Sequence, residues 1–271
     1  MPPDSPRRDF DDPIDQSSPD PAPRGAQAPA GLVTILCMKW GTKYGPDYVN
    51  RLYGMVARHL TRPFRFVCLT DDAAGVRGEV ACAPIPPLPP IAQPKERGWS
   101  KIASFSPQLE GLLGDTVLYL DLDVVVMAPL DPLLEHPGAF PMIRDWYHPV
   151  RLVGNSSVYR YRPVERYPLF EAFCADAGAI VTRIRNEQEF LSEYLEARGE
   201  LSFWPKAWCQ SFRVSCLAPW PLRAWQTPRQ PPDCRVLVFH GEPKPPEALV
   251  GRPGLGQTFR PAPWIANYWR E

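Results

Sequence analysis

Excess charge of either sign is missing from this 271-residue chain: 30 lysines and arginines stand against 30 aspartates and glutamates. So balanced a sequence sets up no global basic field pointing to nucleic acid or to an anionic membrane. Runs of about 18 apolar residues are also missing, so no transmembrane helix is expected. The amino terminus carries no apolar signal core. CxxC pairs are absent among the seven cysteines, which are scattered and odd in number (Cys37, Cys68, Cys82, Cys174, Cys209, Cys216 and Cys234). That spacing argues against a disulfide framework or a zinc site and for reduced thiols in a cytoplasmic protein. There is no internal repeat.

What is present divides into two parts. Residues 1–30 are dense in Pro and Asp and nearly devoid of large apolar side chains. Such a tail buries too little surface to offset its ordering entropy and is expected to be disordered. The remainder, 31–271, is long enough for one α/β domain with a sizeable core. It opens with LVTILCM (32–38), an apolar run suited to a strand buried on both faces. After the loop KWGTKYGPD, Val49, Leu52, Tyr53, Val56 and Leu60 recur at helical spacing. FRFVCLT (64–70) then reads as a second strand that ends at Asp71 and Asp72. Strand, helix, strand within forty residues is the pattern of a βαβ unit and a parallel sheet.

Farther along, APIPPLPPIAQP (83–94) is a loop or polyproline segment. A helical pattern through Ile102, Phe105, Leu109, Leu112 and Leu113 is broken at Pro107. A strand at 116–120 follows, then a strand at 157–161, a helix over 186–198 and a late strand at 235–239. Nine Trp and ten Tyr offer stacking surfaces, although core packing is the usual fate of aromatics.

Two motifs carry chemistry. In TVLYLDLDVVV (116–126), Asp121 and Asp123 interrupt the most apolar strand of the chain. Strand alternation would turn both toward one site, with Leu122 opposite. Two such acids either cap a strand end and form an ion pair or share a hard divalent cation, Mg²⁺ or Mn²⁺. Ligands of open α/β sheets lie at the carboxyl ends of strands, which favours the second reading. The other motif is VLVFHGEPKPP (236–246). His240 directly follows a buried-type strand, Gly241 allows close backbone approach, and Lys244 stands between prolines as a point charge suited to phosphate. One imidazole and two carboxylates form an acceptable shell for Mn²⁺.

A DxD strand combined with the late segment His240-Gly241-Glu242-Pro243-Lys244-Pro245, a close match to an HxGxxKP motif, resembles the GT-A glycosyltransferases, within them the glycogenin and bacterial lipopolysaccharide galactosyltransferase group. The resemblance spans about residues 32–245. It implies a Rossmann-like, mixed but mostly parallel sheet flanked by helices in a single domain. It further implies a hexosyltransferase that uses a nucleotide-diphosphate sugar as donor and a glycan or other hydroxyl as acceptor, with retention of configuration. By the same resemblance, Asp121, Asp123 and His240 are metal ligands and Lys244 contacts the diphosphate. Lys101 in GWSKIASF approaches the donor, as does Asn155 in VGNSSVYRY, where Ser157 stands in place of the family's glycine. Glu187 and Gln188 take the place of an Asp-Gln pair near the reacting carbon. Thr42, Tyr44 and Asp71 fall where base and ribose bind, and the acceptor would lie within about 144–226. Two other readings remain. One is a degenerate transferase that binds nucleotide or glycan without turnover. The other is a haloacid-dehalogenase-type phosphatase, against which no GDxxxD motif follows the aspartates.

Overall fold

The computed structural model describes residues 31–90, 98–147, 151–253 and 258–271; the expectation for the 1–30 tail lies outside them. Strands β1 (Val33–Lys39) and β2 (Phe64–Thr70) fall on the two apolar runs, and α1 (Pro46–His59) connects them. Pro46 at the start of α1 has no N–H to lose, and Val49, Leu52, Met55 and Val56 turn inward. Eight more strands follow: β3 (Val80–Ala83), β4 (Thr116–Leu120), β5 (Val124–Val126), β6 (Phe140–Arg144), β7 (Gly154–Tyr161), β8 (Leu201–Phe203), β9 (Cys209–Ser211) and β10 (Val236–Val238). The later helices are α2 (Asp131–Glu135), α3 (Tyr167–Ala175), α4 (Ala177–Arg183), α5 (Glu187–Glu196) and α6 (Pro245–Val250). The pattern broken by Pro107 forms two 3₁₀ turns, Trp99–Phe105 and Pro107–Leu109.

A seven-stranded mixed sheet runs in the order β3-β2-β1-β4-β7-β6-β8, and a small three-stranded sheet in the order β5-β10-β9. Strands β3, β2, β1 and β4 are mutually parallel; β7 runs antiparallel to both β4 and β6. From β1 the chain passes by way of α1 to β2 on one side, whereas β4 pairs on the other. The boundary between β1 and β4 is therefore a topological switch point, where loops diverge and leave a crevice at the strand ends.

Both faces of the large sheet are covered. Ile35 and Leu118 pack toward α1 and the small sheet; Leu36, Val117 and the Tyr119–Tyr159 stack pack toward α5 and the 3₁₀ turns. Leu36 is fully buried in the middle of β1. A Leu36→Ala variant should lose about 3 kcal/mol of stability, measured by urea unfolding, because the surroundings cannot collapse into the void. All seven cysteines carry free thiols, and five of them are buried. No helix among the described residues is long and apolar enough to cross a membrane.

Candidate active site

The strand alternation expected at the aspartates does not occur. Strand β4 ends at Leu120 and β5 begins at Val124, in the other sheet, so Asp121, Leu122 and Asp123 form a link between the two sheets. The link is held at both ends: the Asp121 N–H donates to the Ser157 carbonyl at 2.9 Å, and the Phe239 N–H donates to the Asp123 carbonyl at 3.1 Å. This backbone pinning, not alternation, brings both carboxylates to one cavity of about 570 Å³ at the switch point.

The other expected residues gather there. Thr42, Tyr44, Lys101, Asn155, Glu187, Gln188, His240 and Lys244 all line the same cavity. Asp71 does not. Its carboxylate accepts the Gly41 N–H at 2.8 Å and so fixes the loop that carries Thr42 and Tyr44. Gly41 has a positive φ of 60°, a conformation that suits glycine.

Each aspartate has its own lysine. The Lys101 ammonium lies 2.8 Å from Asp121 and 3.9 Å from Glu187, and donates to the Ser156 carbonyl at 3.2 Å. The Lys244 ammonium donates to Asp123, which also accepts the Tyr44 hydroxyl at 2.8 Å. Burial works against the charge on Lys101, but Asp121, Glu187 and Asp123 outweigh it and hold its pKa above the usual lysine value. Burial pushes the Glu187 carboxyl up; Lys101 and the Ser156 hydroxyl, which donates to it at 2.6 Å, pull back only in part. The Tyr44 hydroxyl serves Asp123, and burial followed by that carboxylate raises its pKa strongly.

His240 sits just past β10, as its place after the strand implied. Its Nε2 is 2.6 Å from the Ser211 hydroxyl, and its ring stacks on Trp146 at 5.1 Å with Tyr147 edge-on at 5.5 Å. Burial, then the nearby Arg213 charge, lowers its pKa, so the ring is neutral at neutral pH and keeps a lone pair for an acceptor role. Ser211, Trp146 and Tyr147 come from distant parts of the chain and carry no local sequence signal. The Asn155 amide approaches the Gln188 side chain within 3.5 Å, which joins the start of β7 to the first turn of α5.

As they stand, Asp121, Asp123 and His240 are not a closed ligand shell. Among the described residues no three His, Cys, Asp or Glu side chains are grouped so as to hold a metal ion. The donor set nevertheless fits a hard divalent cation. Two carboxylates and a neutral imidazole line one hollow, and the two acids are balanced by two ammoniums, the same charge that one such ion would bring.

The mixed, mostly parallel seven-stranded sheet with its flanking helices has the GT-A, Rossmann-like fold. Among solved structures, the chain is similar to the galactosyltransferase LgtC in complex with donor and acceptor sugar analogues, at a TM-score of 0.57 and 15% identity over 86% of this chain and 94% of that one. It is also similar to the glycosyltransferase GlyE of Streptococcus pneumoniae, at 0.54 and 12% identity over 87% of this chain and 60% of that one. No family model matches the sequence, and no curated protein does.

Proposed function

We propose that the protein is a hexosyltransferase that moves a sugar from a nucleotide-diphosphate sugar to an acceptor hydroxyl, with retention of anomeric configuration. One observation carries the reading: the DLD link and the HGEPK segment, 117 residues apart, line a single cavity at the switch point of a glycosyltransferase fold. Retention rests on the resemblance of the two motifs alone.

Mn²⁺ or Mg²⁺ would be held by Asp121, Asp123 and His240 and, when bound, would supply Lewis-acid neutralisation of the departing diphosphate. The chain's own groups do the rest. Lys244 lines the same hollow, and its ammonium is suited to a phosphate oxygen once Asp123 has another partner. Lys101, 2.8 Å from Asp121 and 3.9 Å from Glu187, sets one positive charge against both acids. Asn155 and Gln188, whose amides meet at the cavity wall, are placed to orient the sugar. Tyr44 and Thr42, on the loop braced by Asp71, take the nucleoside end. As the bond to the diphosphate breaks, the sugar becomes oxocarbenium-like, and the acceptor hydroxyl attacks the anomeric carbon on the face the diphosphate leaves, its proton passing to a departing phosphate oxygen.

The test is calorimetric titration of a nucleoside-diphosphate panel with and without Mn²⁺, followed by hydrolysis assays on UDP-, GDP- and dTDP-sugars. Mn²⁺-dependent binding with slow donor hydrolysis is the expected result. Binding without hydrolysis or transfer would assign the degenerate reading, to which Ser157 and Glu187 lend support. No binding at all would end the proposal. The His240→Ala variant should shift the Mn²⁺ midpoint upward by about 10- to 100-fold, in line with loss of a ligand or its support. An unchanged midpoint would remove His240 from the shell.

A further inference from the structure

The balanced total charge hides a local asymmetry. From Leu201 to Pro232 the chain contains no acidic residue, but has Lys206, Arg213, Arg223 and Arg229. The same stretch carries exposed apolar side chains. Eight large hydrophobic residues stand exposed among the described residues, and four of them, Val214, Trp220, Leu222 and Trp225, fall within 214–225. Trp220 is 69% exposed and Trp225 71%. A tryptophan left in water twice within six residues is unusual for a side chain whose burial ordinarily stabilises a fold.

The segment is held in a defined shape. The Arg229 N–H donates to the Cys216 carbonyl at 3.0 Å and closes a loop over 216–229. Trp264 donates its indole N–H to the Pro228 carbonyl at 2.9 Å and anchors the base of that loop. At the tip, a 3₁₀ turn at Leu222–Ala224 is closed by the Trp225 and Gln226 N–H groups, both donating to the Leu222 carbonyl. The two indoles and Leu222 are thus displayed on a braced loop that also carries Arg223 and, exposed, Arg229.

We propose that the loop at 216–229 seats the protein on an anionic lipid surface. Indole rings settle at the boundary between headgroups and acyl chains, and arginines next to them meet anionic headgroups. Charge complementarity selects this occupant over a second copy of the chain, because self-association through the same patch would set arginines against arginines. The loop departs close to the cavity: Ser211, at the end of β9, holds His240, and Arg213 lies beside Gly241. Lipid docking needs no catalytic turnover, so it stands or falls apart from the transferase reading.

The experiment is co-sedimentation of the full chain with phosphatidylcholine vesicles and with vesicles of equal parts phosphatidylcholine and phosphatidylglycerol. Tryptophan emission is recorded alongside. Binding to the anionic vesicles only, with a blue shift that salt reverses, is the expected result. Arg229→Gln should weaken the partition by about fivefold. The Trp220→Ser/Trp225→Ser double variant should abolish the blue shift and most of the binding, with the circular dichroism spectrum and melting temperature of the parent. Equal, low sedimentation with both vesicle types overturns the proposal. So does binding that survives the double variant unchanged. A concentration-dependent dimer abolished by the double variant, without vesicle binding, would assign the patch to a second copy and overturn it as well.

Discussion

Asp123→Asn is expected to lower Mn²⁺-dependent donor turnover on the order of 10³-fold while leaving the fold assembled. Asp123 meets both Lys244 and the Tyr44 hydroxyl, and it is buried. An amide keeps its shape and can still accept one hydrogen bond, but it brings no charge to hold a cation or to balance the lysine. Removing a preorganised charge from a dry site costs about 10²- to 10³-fold in rate. Breaking the buried pair leaves the Lys244 ammonium without its counter-charge, so about 3 kcal/mol of stability should also go. The two effects separate in the Asp123→Asn/Lys244→Met double variant. There the stability should largely return, since neither charge is left alone, while turnover stays lost. Parent-level turnover in Asp123→Asn with Mn²⁺ present would remove this aspartate from the mechanism.

Lys101→Met should show the largest loss of stability, about 3–5 kcal/mol, or roughly 10 °C in melting temperature. Its ammonium is buried and faces Asp121 and Glu187 together. Without it two acids share a low-dielectric wall with no cation between them. The sign of the pH dependence follows. Glu187 already has a raised pKa through burial, and loss of Lys101 raises it further. The folded variant then binds a proton more tightly than the unfolded chain, so its stability rises as pH falls. The gap to the parent protein should be widest at neutral pH and should narrow as pH drops toward the ordinary carboxylate range. Melting curves of both proteins across that range measure it, and a gap independent of pH would place the cost in packing rather than charge.

The elements most legible in the sequence were those whose burial is two-sided and local. The runs at 32–38 and 64–70 became β1 and β2 because an unbroken apolar stretch of that length has no other stable use beside a 14-residue amphipathic helix. Pro107 correctly marked a break. The run at 116–126 misled in one respect. It reads as a single apolar strand with two acids inside, yet β4 and β5 belong to different sheets. Local periodicity reports which side chains are apolar but not where the hydrogen-bonding partner changes, so the alternation argument failed even as the aspartates reached one cavity. The surroundings of His240 were likewise invisible, since Ser211 and Trp146 are sequence-distant and meet it only through β9, β10 and the segment after β6. The pairing of each acid with its own lysine belongs to the same class. Lys101 and Lys244 were singled out for the donor, and nothing in a one-dimensional reading assigns them to carboxylates 20 and 121 residues away.

The three-residue link between β4 and β5 has a mechanical consequence. Whatever settles against Asp121 and Asp123 grips the seam where one sheet hands over to the other. Occupancy of the hollow should then slow amide hydrogen exchange at the ends of β4 and β10 together, so that a single small molecule acts as a clasp across both layers.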